Sequence, residues 1–227
     1  MAHREQLWFV NATKQAYPDY FRACRIIEIG SLDINGSIRR MFTGCEYVGL
    51  DVAAGPGVDA VCQGQDYDGP ADNFDTAVCC EVMEHNPFWV ETFRNMIRVT
   101  RPGGLVILTC ASHGRPEHGT ARTEPTASPL TVGLGWTYYR NLDASDFMNG
   151  VPINLDFSSW RFYRNSTSND LYFIGFKAGS SAPANATWSM RSIAAKLALW
   201  NVTRGKWWIN RVRFMMPGKG HMTGKAG

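Results

Sequence analysis

The chain has no apolar run approaching the roughly 18 residues that cross a bilayer, so no membrane-spanning helix is expected in its 227 residues. It has no CxxC pair. Its six cysteines (Cys24, Cys45, Cys62, Cys79, Cys80, Cys110) lie mostly in apolar, strand-like runs, where a thiol behaves as a small hydrophobe. A disulfide framework and a zinc site are therefore not expected, and no metal ligand is assigned. The opening MAHREQLWFVNATKQ lacks an apolar block ending in a small-residue cleavage site, so no secretory leader is expected and the cytosol is the expected compartment. Charged residues are sparse at 19%, and acids are missing altogether from residues 180–227. That stretch holds eight of the 23 basic residues, so residues 1–179 carry about −5 and the net charge of +3 hides a mildly acidic body with a basic end. With 44% hydrophobic and 12% aromatic residues, the composition is that of a folded chain.

The apolar runs alternate with helix-sized segments. RIIEIG (25–30) precedes a short helical candidate, GSIRRMF (36–42); EYVGLDV (46–52) and GVDAVCQ (57–63) follow. NFDTAVCC (73–80) leads into a segment from about Pro87 to Thr100. There Phe88, Trp89, Phe93, Met96, Ile97 and Thr100 recur every three or four residues, the mark of a helix with one buried face. RPGG (101–104) is expected to stop that helix before another buried strand, LVILTCA (105–111). Adjacent Cys79 and Cys80 should face opposite sides of their strand. The alternation predicts an α/β fold, Rossmann-like, on a mostly parallel sheet flanked by helices. Residues 112–157 lose periodicity and read as a long loop rich in Gly, Pro, Ser and Thr, with isolated aromatics Trp136, Tyr138 and Tyr139. SSWRFYRN (158–165) and DLYFIGFKA (170–178), close together, predict a closing antiparallel hairpin.

Also lacking are two glycines. A dinucleotide loop of the form GxGxxG needs closely approaching backbone amides and a helix N-terminus for its pyrophosphate. Here the turn reads Glu28-Ile-Gly30-Ser-Leu32-Asp-Ile34, with Leu32 and Ile34 where a second and third glycine would stand. Carboxylates nonetheless end four successive strands: Glu28, Asp51, Asp66 and Glu81. Asp51, about 20 residues beyond the glycine turn, suits the two hydroxyls of a ribose. Gly30 lets a ligand approach the backbone without a Cβ in the way. Asp33, Asn35 and Ser37 supply either polar contacts or a cap for the next helix, with the cap the favoured role for Asn35.

In this order and spacing, IIEIGS, YVGLDV, FDTAVCCEVMEH and RVTRPGGLVIL resemble the class I S-adenosylmethionine-dependent methyltransferases, over about residues 25–178. The wider pattern, including GRPEHGTARTEP and YYRNL, looks like a bacterial and phage-type subgroup. The resemblance implies a seven-stranded sheet ending in an antiparallel hairpin, and S-adenosylmethionine as cofactor. Carried over by position, Glu28 would help hold the methionine ammonium, with Gly30 and Ser31 beneath the ribose and methionine. Asp51 would bind the ribose, with Val52 beside the adenine. Asp66 would meet the adenine amino group with Tyr67 as its neighbour, and Cys80 and Glu81 would line the sulfonium region. The implied organisation is a helical lead-in at 1–24, the methyltransferase domain at 25–178 with a substrate or lid insert at 112–157, and a basic aromatic tail at 179–227.

Methyl transfer is an in-line displacement helped mainly by alignment, with a general base where the acceptor is a poorly acidic hydroxyl. The candidate bases are His85, which follows the fourth strand, and His113 or His118 in the loop after the fifth, with His113, just beyond that strand, preferred. No NPPY-like motif follows the fourth strand, which disfavours nucleobase amines. The expected acceptor is a polar small molecule or saccharide methylated on oxygen; the alternatives are an NAD-dependent oxidoreductase, or a catalytically inactive cofactor-binding module working through its tail. In that tail Trp188, Met190, Ile193, Leu197 and Trp200 predict an amphipathic helix, followed by KWWINRVRFMM (206–216). Residues 188–216 are expected to dock on protein or lie peripherally on a membrane surface, ahead of nucleic acid.

Overall fold

The computed structural model describes residues 4–215, the last eleven of them as backbone only. Seven strands, β1 (Arg25–Ile29), β2 (Glu46–Asp51), β3 (Ala60–Val61), β4 (Phe74–Cys80), β5 (Thr100–Ala111), β6 (Phe157–Asn165) and β7 (Asp170–Lys177), form one sheet in the order β3-β2-β1-β4-β5-β7-β6. The first five run parallel, and β7 lies antiparallel between β5 and β6. A simple dinucleotide sheet would instead continue with a sixth parallel strand.

The sheet is covered on both faces, which is why its central strands read as continuous apolar runs. On one face Ile27, Ala77, Val106, Leu108 and Phe173 pack against Phe93, Met96 and Ile97 of α2 (Trp89–Val99). The other face carries Ile26, Val78, Leu105, Ile107, Tyr172 and Ile174. It is covered by Phe9 and Val10 of α1 (Arg4–Ala16) and by Met190, Ile193 and Leu197 of α6 (Ala186–Met215). Cys79 and Cys80 fall on these opposite faces, as the strand period requires.

Three local expectations are corrected. GSIRRMF makes only a 3-10 turn over Ile38–Met41, and the side chain that caps it is Ser37, accepting from the Arg39 amide at 3.0 Å, rather than Asn35. Ile38 and Phe42 are buried, Phe42 stacked on Phe21 at 4.6 Å, and the Lys14 ammonium of α1 donates to the Met41 carbonyl, so α1 fills the face that a longer helix would use. GVDAVCQ shrinks to the two-residue β3, because Asp59 is tied to β2: its carboxylate accepts from the Gly49 amide at 2.7 Å and its own amide donates to the Gly49 carbonyl at 2.8 Å. RPGG does end α2, but as an irregularity within β5, where the register slips between Phe74 and Thr76. A Cβ on Gly104 would stand 2.6 Å from Thr100 Cγ2, so that position requires glycine.

The insert is more ordered than its composition suggests. It contains α3 (Pro129–Gly133), α4 (Ala144–Gly150) and α5 (Ile153–Asp156). Asp143 and Asp146 form a capping box at the start of α4, which then buries Phe147 against Trp89 and Phe93. Residues 186–204 of the tail dock on the body: the Tyr17 hydroxyl donates to the Ala186 carbonyl at 2.9 Å, and Trp200 packs on Trp8 with centroids 5.3 Å apart. Trp188 lies off the buried stripe, 72% exposed. The expectation for 206–216 falls on side chains outside the described residues. Among the described residues no helix is long and apolar enough to cross a membrane.

Candidate active site

The carboxyl ends of β1, β2 and β4 open into a cleft of about 680 Å³, counted to its mouth. Its floor is Gly30, Asp51, Val52, Cys80 and Glu81. Gly30 has φ +81°, and a Cβ there would meet Val82 Cγ2 at 2.1 Å, so the turn excludes any other residue without a shift of the β4 end. Asp51 holds the turn in place. One carboxylate oxygen accepts from the Leu32 amide at 3.0 Å and the other from the Val52 amide at 2.8 Å. Each oxygen keeps a second lone pair for a ligand. Burial raises the Asp51 pKa, and the two amides act against that.

One wall is built of amides. Gln63 and Gln65 line the cleft, the Gln65 amide donates to Gln63 Oε1 at 2.8 Å, and the Thr92 hydroxyl of α2 donates to Gln65 Oε1 at 3.1 Å. Asn86 donates to the same hydroxyl at 2.8 Å. The opposite wall comes from the insert: Ser128, Pro129, Leu130, Thr131 and Trp136. Behind Gly30 the chain makes only the 3-10 turn, so no α-helix N-terminus points into the cleft from that loop.

A second pocket, about 690 Å³ to its mouth, adjoins the first and shares Glu81, His85 and Ala127 with it. Its remaining walls are Arg115, Pro116, Glu117, His118 and Glu124. Glu81 sits at φ +57°, a strained conformation for a residue other than glycine, at the junction of the two spaces. His85 is 4% exposed, and burial pushes its pKa down to about 3, so its ring is neutral. Its centroid lies 5.1 Å from that of His118 and 5.5 Å from that of Tyr139. Arg115 is held by the Ser168 carbonyl at 2.7 Å and by Asp170 at 3.1 Å.

Residues 35–108 match the family model described as a methyltransferase domain. The chain has a Rossmann-like methyltransferase fold. The sheet order with its reversed β7, the cleft at the strand ends and that match agree on it. The methyltransferase fold is shared with the N1-methyltransferase of 1,6-didemethyltoxoflavin from Burkholderia thailandensis, solved with 1,6-didemethyltoxoflavin and S-adenosylhomocysteine. That structure is 13% identical with a TM-score of 0.53, over 77% of this chain and 80% of that one. It is also shared with phosphoethanolamine N-methyltransferase 2 of Haemonchus contortus, solved with phosphomonomethylethanolamine and S-adenosylhomocysteine. Here identity is 14% and the TM-score 0.53, over 75% of this chain and 53% of that one, so this chain spans about half the length of the nematode enzyme. No curated protein sequence matches.

Within this fold, Gly30, Asp51, Val52, Cys80 and Glu81 come together in the cleft as their positions imply. Glu28 does not. It points to the opposite face of the sheet and accepts from the Tyr47 hydroxyl at 2.7 Å, and burial pushes its pKa up to about 7. Ser31 is buried against Gly49, outside the cleft wall. Asp66 is exposed and Tyr67 packs beside Phe74 at 6.3 Å; Gln63 and Gln65 take the wall instead. His113 is exposed and lines neither space, and its carbonyl accepts from Arg164, so the chain turns it toward the end of β6. His85 stands at the junction, and His118 takes the place expected of His113. The insert wall was signalled in the sequence by Trp136 alone. Gly30→Ala is expected to cost about 1–3 kcal/mol, from the left-handed backbone and the Val82 clash, read as a lower denaturation midpoint at unchanged slope.

Proposed function

We propose that this protein is an S-adenosylmethionine-dependent methyltransferase whose acceptor is a polar small molecule or saccharide methylated on oxygen. The observation that carries the cofactor is a carboxylate, Asp51, facing the cleft from the end of β2, beside a glycine turn with no helix behind it. A ribose diol fits Asp51; a pyrophosphate would lack the helix N-terminus that normally neutralises it. S-adenosylmethionine supplies an electrophilic methyl group on a sulfonium cation and carries no phosphate. The two structural relatives were solved with the demethylated product of that cofactor, in support of the same reading.

Gln63 and Gln65 are the side chains placed to meet the adenine edge, in the role expected of Asp66. Gln65→Ala is accordingly expected to weaken S-adenosylhomocysteine binding about 3- to 10-fold, the worth of one neutral hydrogen bond. Asp66→Ala should leave binding unchanged in the same titration.

The pocket beyond Glu81 and His85 is the acceptor side. Glu81, Glu117 and Glu124 border it. Carboxylates there hold an amine as its ammonium, which has no lone pair to attack with, whereas a hydroxyl suffers no such penalty. A neutral, buried His85 can orient an acceptor group by a hydrogen bond and is a weak base, so alignment carries more of the rate than proton removal does. Labelled methyl transfer from S-adenosylmethionine to a panel of small alcohols, sugars and amines tests the acceptor. Transfer to hydroxyls is expected; transfer to amines alone would contradict the oxygen assignment and leave the cofactor assignment standing.

A further inference from the structure

We propose that Glu84, His85 and His118 form a divalent-metal site of zinc type at the boundary between the cofactor cleft and the acceptor pocket. One ligating atom from each of the three side chains lies within 4.8 Å of the others, and no ion is present. Around a bound zinc, ligand atoms stand roughly 3.3–3.5 Å apart, so closure needs a shift of about 1 Å. Two imidazoles and one carboxylate are the donor set of zinc sites that keep an open position.

Two of the three side chains also carry an unused buried polar atom. Glu84 is fully buried, and its Oε1 accepts from the Ala111 amide at 3.1 Å while Oε2 has no partner. His85, 4% exposed, leaves its Nδ1 buried and unpartnered. A buried polar atom without a partner is costly, and two of the three residues of the cluster carry one.

The supporting contacts are those of metal ligands. His118 Nδ1 lies 3.0 Å from the Pro116 carbonyl, which can only accept, so that nitrogen carries the proton and Nε2 keeps the lone pair. Donation of the second ring N–H to a backbone carbonyl is the usual way a ligating histidine is oriented. The Ala111 amide does the same for Glu84. Gly119 closes the site: a Cβ there would meet His85 Cε1 at 2.7 Å, so the loop carrying His118 lies directly on the His85 ring. The nearby cation, Arg115, is paired with Asp170. His85 and His118 both line the acceptor pocket, so the open position faces it.

Cobalt(II) titration of the metal-stripped full-length protein tests the site, with neither cofactor nor acceptor added, so the result is independent of the methyl-transfer reading. One Co²⁺ per chain is expected, with visible absorption bands of a four- or five-coordinate nitrogen and oxygen site, displaced by Zn²⁺. His118→Ala, on the accessible loop, should weaken binding at least 10-fold, and Glu84→Gln similarly, each with an unchanged circular dichroism spectrum. His113→Ala should change nothing. No binding, or equal binding by wild type and His118→Ala, would overturn the proposal. So would a thiolate charge-transfer band, because it would move the metal to Cys24 and Cys45, whose sulfurs lie 3.2 Å apart.

Discussion

Asp51→Ala is expected to lower affinity for S-adenosylhomocysteine at least 100-fold. Two hydrogen bonds from ribose hydroxyls to a partly buried carboxylate are worth about 3–5 kcal/mol together, and every 1.4 kcal/mol is tenfold. The loss is compounded locally, because the same carboxylate fixes the Leu32 and Val52 amides on either side of the cleft. Asp51→Asn separates the two contributions. Its amide oxygen can still accept from one backbone N–H but offers no charge, so it should bind more tightly than the alanine variant and more weakly than wild type. Calorimetric titration measures all three. A thermal melt without ligand shows whether the fold survives, and an alanine variant that binds like wild type would remove the ribose role from this residue.

The second large effect concerns α6. Ile193→Ala is expected to destabilise the protein by about 2–4 kcal/mol, the cost of truncating a buried isoleucine and leaving a cavity. The side chain is 1% exposed, among Phe9, Tyr163, Met190 and Leu197. In a chain of this size that is a fall in melting temperature of roughly 4–16 °C. Leu199→Ala on the outer side of the same helix, where the leucine is 65% exposed, should stay within about 0.5 kcal/mol of wild type. The contrast matters for function. The stripe of Met190, Ile193 and Leu197 that reads as a membrane-binding face is spent on the protein's own core. We therefore propose that any membrane contact uses the outer residues Trp188, Leu199 and Val202 with the basic side chains around them. Equal melting of the two variants would mean that α6 does not hold the body together.

The strands were legible because most are buried on both faces, so RIIEI, FDTAVCC and LVILTCA stand out as apolar runs, and the 3.6-residue period of 88–100 marks α2. What was not legible has physical reasons. The segment 36–42 has helical character but competes for space with α1, which lies on the other side of β1 in the sequence and is invisible in a local pattern. Helix α4 is seven residues long, too short for a period to show. In the site, position along the chain located the glycine turn and the β2 acid well, since both follow directly from strand ends. Side-chain direction was harder. Glu28 alternates to the opposite face from the cleft, and Gln63 and Gln65 line the cleft where Asp66 beside them does not. His113 follows β5 immediately, yet the turn at Ser112–Arg115 swings it away and brings His118 in. The meeting of Glu84, His85 and His118 joins two segments more than thirty residues apart and has no signature in spacing.

The central claim is that the cleft accepts S-adenosylmethionine rather than a dinucleotide. Parallel calorimetric titrations of the full-length protein with S-adenosylhomocysteine and with NADH test it most directly. One molecule of S-adenosylhomocysteine should bind per chain, with the affinity lost in Asp51→Ala, and NADH should give no heat of binding. Tight NADH binding with no response to S-adenosylhomocysteine would contradict the account.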